Sequence, residues 1–237
     1  MSDIKDIVDA LNLPKVVLEK ADAFLRTLLG PATVEAGELL ADKIRVRRFR
    51  NQVHVLRLAQ EMLEGAGLKA QQVNLRTLVP LLERASLEED PDIQQMWAAL
   101  LANASQTTIS GALQTICIRV LSGISSYEAR ILQSIYSDFL THRDSKIAKL
   151  REWNSRRTEP YASSFFYRPD DLVARARIGT DEGDFLIDNL LQLGVLRFEV
   201  PEVEDDEVQE PKFVHLTELG LKVLQGCHAR PRMGGGG

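Results

Sequence analysis

The chain has 237 residues, 44% of them hydrophobic and 27% charged, with a formal net charge of -5 and a pI near 5.5. Nine prolines and fifteen glycines exclude a collagen-like or low-complexity body and leave an ordinary globular composition, enough for one large or two small domains. The acidic balance excludes attraction of the whole molecule to nucleic acid, so any such contact needs a local basic patch.

Residues 2–12 carry apolar positions at Ile4, Ile7, Val8 and Leu11, the stripe of a short amphipathic helix. Val17, Leu18, Ala21, Leu25 and Leu28 predict a second helix that ends at Gly30-Pro31. A helical pattern runs again from Ala32 to about Glu64 and closes at Gly65-Ala66-Gly67, and another covers Gln72 to Arg84, with a kink or break expected at Pro80. Asp90 as N-cap with Pro91 at the first position opens the helix with the cleanest stripe: Ile93, Met96, Trp97, Leu100, Leu101 and Ala104. Trp97, on that stripe, reads as a core anchor. A short apolar segment at Ile116, Ile118, Val120 and Leu121 leads to a capping box, Ser125-Ser126-Tyr127-Glu128, and a strong helix to Leu140. Thr141 to Arg168 is polar and weakly periodic, a helical tail followed by a loop.

After Pro169 the pattern changes. Asp170 to Ile178 reads as a short helix, Thr180 as a cap, Asp181 to Leu193 as a second helix and Gly194 as its C′ residue. Val195–Val200 and Lys212–Leu216 are β-like around a polar stretch, and Thr217 caps a last helix to about Gln225. Preceded by the helix from Ser126, this is the order of a winged helix. The expected fold is therefore mainly α: an N-terminal helical domain over 1–122, a C-terminal winged-helix-like α+β module over 123–228, and a disordered tail over 229–237.

Certain residues carry a resemblance. Gly30-Pro31-Ala32, Glu35 to Lys43, the basic Arg45–Arg50 run, Val79-Pro80-Leu81-Leu82-Glu83, Ala85-Ser86, Glu89-Asp90 and Met96 to Ala104 are similar to the Abi-alpha (abortive infection alpha) family. The similarity covers about residues 15 to 140, and the remainder follows the family's layout more loosely. It implies a bacterial origin, a role in phage defence, and no agreed enzyme activity or catalytic residues.

The sharpest local feature is a run of cations, Lys43, Arg45, Arg47, Arg48, Arg50 and Arg57, with no acid between Asp42 and Glu61. Such a cluster suits phosphates, anionic lipid heads or an acidic protein surface. The competing reading is a solvated helix face. The segments with which a winged helix grips a duplex are the opposite in sign. Asp181, Glu182, Asp184 and Asp188 lie on the second helix of the pair, and Glu199, Glu202, Glu204, Asp205, Asp206, Glu207 and Glu210 in the wing. Counterion release needs cations there, so the module is expected to meet protein.

The acidic wing lacks the spacing of a calcium loop, and His54, His142, His215 and His228 form no zinc-ligand pattern, so no metal is expected. No nucleophile elbow, phosphate-cradling loop or dinucleotide fingerprint occurs, and neither a catalytic site nor a cofactor is expected. Cys117 and Cys227 are too few for a disulfide framework and read as buried or incidental. The start Met1–Asp6 has no secretory pattern, and no apolar run nears the ~20 residues of a membrane span, so a cytoplasmic address is expected.

The reading that results is a phage-defence protein acting through protein contacts without catalysis, with Lys43–Arg57 as one contact surface. The alternatives are a nucleic-acid-binding regulator using that basic helix, and a membrane-associated effector using Val17–Leu40 with the adjacent cations.

Overall fold

The computed structural model describes residues 15–29, 46–106, 110–152, 159–177, 180–199, 203–204, 207–208 and 213–229. The helix expected over 2–12, the segment 30–45 and the tail after 229 lie outside them. The chain divides into two compact units, Met1–Ser122 with Gln225–Gly237, and Gly123–Leu224. It is mainly helical, with a small antiparallel sheet near the C-terminus, as the apolar periodicities predict.

The first unit contains α1 (Lys15–Leu29), α2 (Val46–Gly65), α3 (Leu75–Ala85), α4 (Pro91–Ala104) and α5 (Gly111–Leu121). Its centre is α4, buried on every side from Met96 to Ala104. A helix apolar all round has to lie inside a core. Trp97 is 1% exposed, and Ala98, Ala99 and Ala102 let neighbouring helices approach. The start of α4 is fixed as the sequence predicts: Asp90 accepts from the backbone N–H of Asp92 (2.9 Å) and Ile93 (3.2 Å), with Pro91 next. At the end of α2, Gly67 has φ +70°, and the Leu68 N–H reaches back to the Leu63 carbonyl at 2.9 Å. This closure needs a left-handed residue, which glycine supplies without steric cost.

Two stretches of this unit take a form that the apolar pattern leaves open. Helix α3 continues through Pro80 instead of breaking. Proline inside a helix costs roughly 3 kcal/mol. Leu78, Leu81 and Leu82 are fully buried on the same helix, at about 1.5–3 kcal/mol each, so burial outweighs the lost hydrogen bond. The apolar segment at Ile116–Leu121 belongs to α5, capped by the Ser110 hydroxyl, which accepts from Leu113 N–H at 3.3 Å. Its buried positions, Gln114, Cys117, Val120 and Leu121, have helical spacing. The last residues of the chain also belong here: the buried Asn103 carboxamide donates to the carbonyls of Gly226 (2.9 Å) and His228 (3.1 Å).

The second unit contains α6 (Ser126–Glu152), a 3-10 turn (Ala162–Ser164), β1 (Phe166–Tyr167), α7 (Pro169–Ala176), α8 (Thr180–Gln192), β2 (Leu196–Phe198), β3 (Val203–Glu204), β4 (Glu207–Val208), β5 (Val214–Leu216) and most of α9 (Glu218–Gly226). The sheet order is β1-β5-β2, antiparallel, with Phe166 opposite His215 and Leu196 opposite Leu216. β3 and β4 pair as a separate hairpin within the polar stretch. Helix α6 continues past Leu140 as the helical tail expected there, with Ile147 buried and Arg143, Lys146 and Leu150 half-buried along its final turns. Strand β1 lies within the segment expected to be a loop.

The capping box at Ser125 forms through its glutamate. The Ser125 N–H donates to Glu128 Oε2 at 2.6 Å, while Asn189 Nδ2 donates to the other oxygen and to the Gly123 carbonyl (2.7 Å). Glu128 is 3% exposed. Its carboxylate is tolerated in the interior because these donors satisfy it, and they fix α8 against the start of α6. Gly194 has φ +73° and closes α8, as expected, with Val195 N–H bonded to the Leu190 carbonyl at 3.0 Å.

Candidate functional site

The predicted contact residues fall on and before α2. Lys43 and Arg45 lie outside the described residues, and the side chain of Arg47 does too. Arg48 is engaged: its Nε donates to Ser86 Oγ at 3.1 Å. Asn51 and Gln52 on the same stripe donate to the Ser86 and Leu82 carbonyls at 3.1 and 3.2 Å. Together they satisfy the C-terminal end of α3, where a cation also meets the negative end of the helix dipole. Arg57 pairs with Glu61 at 2.6 Å and lies beside His54. Arg50 is exposed. Desolvation, followed by the Arg57 charge, lowers the His54 pKa from its usual 6.5.

On α8 the inward positions are Gly183, Ile187 and Leu190. A Cβ at Gly183 would run into the Val173 side chain on α7, so glycine is what permits the close crossing. The outward positions are Asp184, Phe185 and Asp188, and Phe185 is 72% exposed. Phe185 is the most exposed of the large apolar side chains among the described residues, it neighbours two carboxylates on the same helix, and aromatic rings are enriched among the anchors of protein interfaces. The side chains of Thr180 to Glu182 and of residues 200–212, which include most of the acidic wing, are outside the described residues. Among the described residues no group of His, Cys, Asp and Glu could hold a metal ion.

A third feature carries no sequence motif. In the first unit a cleft of about 540 Å³ lies between the starts of α3 and α5, lined by Asn74, Arg76, Thr77, Gly111, Gln114 and Thr115 among others. Thr77 Oγ1 donates to Gln114 Oε1 at 2.7 Å on its floor.

The profile of the family described as abortive infection alpha matches residues 50–227, most of the chain. The chain belongs to the abortive infection alpha family. No curated protein and no solved structure is significantly similar to it. The family match extends through the C-terminal half, for which the residues quoted above gave only a loose likeness, and begins at Arg50. It includes α8 and the cleft, whereas Lys43 to Arg48 precede it. The family suggests abortive-infection-type phage defence. Among the described residues no helix is long and apolar enough to cross a membrane.

Proposed function

We propose that this chain serves phage defence in the bacterial cytoplasm by binding a protein, without catalysis, and that the outward face of α8 is its principal contact. The observation that carries this reading is Phe185, 72% exposed between Asp184 and Asp188. The element order of the second unit, with β1-β5-β2 and an intervening hairpin, supports a winged-helix module in which α8 takes the place of the recognition helix. In a DNA reader that helix offers cations and amides to phosphates. Here it offers two carboxylates and a phenyl ring, which suit a basic protein surface with an apolar socket. The exposed Arg50 remains a candidate for a second contact, while Arg48 and Arg57 have structural employment.

The test is protection of a bacterial culture against phage by the full chain and by two variants, Phe185→Ala and the double change Asp184→Lys with Asp188→Lys. All three positions are exposed, so abundance and folding are expected to be unchanged, and protection is expected to fall with either variant. Undiminished protection by both variants would contradict the assignment of α8.

A further inference from the structure

The cleft between the starts of α3 and α5 has features of a small-molecule site that the contact reading does not use. Its volume, about 540 Å³, lies within the range of ligand pockets, roughly 300–1,000 Å³. Its floor is polar. Thr77 and Gln114 are 5% and 7% exposed and hydrogen-bonded to each other, where a purely structural core would bury apolar side chains. Its charge is one-sided, because Arg76 is the one ionisable residue among the described residues lining it.

The backbone adds donors of the same sign. Ser110 takes the Leu113 N–H, but the N–H groups of Gly111 and Ala112 have no acceptor within α5, being in its first turn. Both residues line the cleft. A Cβ on Gly111 would meet no atom within 4 Å, so this backbone is open to approach. On the facing wall Asn74 caps α3, and Arg76 projects from its first turn. An open polar cleft with a guanidinium and, among the described residues, no carboxylate in its lining favours negative charge.

We propose that this cleft binds a small anionic ligand of metabolite size, held through a phosphate or carboxylate group by Arg76 and the amides opening α5. The proposal is independent of the α8 contact, since each uses residues of a different unit.

Isothermal titration of the full chain with inorganic phosphate, and separately with malonate, tests it. Saturable binding of at least one anion is expected. Arg76→Gln should weaken it at least tenfold, and Gly111→Phe, which puts a ring into the open space, should abolish it. Gly111 does not have a positive φ, so the second variant is expected to keep the fold, which thermal unfolding checks. Phosphate as the stronger ligand assigns a phosphoryl group, and malonate a carboxylate. Absence of saturation with both anions, or binding by either variant equal to that of the unaltered chain, overturns the proposal.

Discussion

Arg48 donates from Nε to the hydroxyl of Ser86 at 3.1 Å, and Ser86 is the residue that closes α3. A cation expected on a contact surface is thereby part of the packing of α2 on α3. Arg48→Ala should lower the unfolding free energy by about 1 kcal/mol, the net worth of such a hydrogen bond. Arg50→Ala, at an exposed site, should change it by no more than about 0.5 kcal/mol. Urea unfolding of both variants measures the difference, and equal effects would show that Arg48 has no bracing role.

Gly220 in α9 sits directly on the backbone of the second unit. A Cβ there would collide with the Val195 carbonyl oxygen, a backbone atom that cannot turn aside. Gly220→Ala should therefore destabilise the protein by about 2–3 kcal/mol, the upper part of the range for overpacking, despite the better helix propensity of alanine. A neutral or stabilising effect in chemical denaturation would mean that α9 lies farther from Val195 than described.

The pH dependence follows from His54. Desolvation and the neighbouring Arg57 lower its pKa in the folded state, so the unfolded chain takes up a proton first as pH falls. The unfolded state then binds more protons, and stability declines on acidification below about 6.5, levelling only once the folded histidine is also protonated. His54→Gln should flatten this part of the stability profile. Thermal unfolding between pH 7.5 and 5 checks it, and an unchanged profile in the variant would assign the decline to other groups.

Cys117 and Cys227 are free and buried. Burial, and then the hydrogen bond with Cys117, raises the Cys227 pKa well above its usual value. Since the thiolate is the reactive form, both thiols should resist an alkylating reagent in the native protein. They should react at a rate that follows opening of the first unit, rising with sub-denaturing urea. Immediate alkylation in buffer would contradict their burial.

Much of this architecture is written in local signals. The caps at Asp90-Pro91, Ser125-Glu128 and Thr217 act through nearest backbone groups, so residue type and spacing suffice to find them. The end of α8 at Gly194 is legible for the same reason. Helix α5 is less legible, because its β-branched Ile116, Ile118 and Val120 alternate like a strand, although Ser110 and the spacing of Gln114, Cys117 and Leu121 mark a helix. The length of the α6 tail is harder to read, because its inward positions include Arg143 and Lys146, which apolar periodicity passes over. Strand β1 has two residues and exists through its pairing with β5, a partner some fifty positions away. The candidate surfaces divide similarly. The acids of α8 are plain in the sequence, but the exposure of Phe185 depends on which face Ile187 and Leu190 bury. The cleft joins residues 72–77 to 104–115 and has no sequence signature at all.

The central claim is that the outward face of α8 is built for protein and repels a duplex. Fluorescence anisotropy of a labelled DNA duplex with the full chain at low ionic strength tests it most directly, since any phosphate-driven complex is strongest there. The account predicts no saturable complex at low salt, and a gain of binding when Asp184 and Asp188 are both changed to lysine. A tight complex with the unaltered chain, falling steeply with salt and lost on Phe185→Ala, would contradict it.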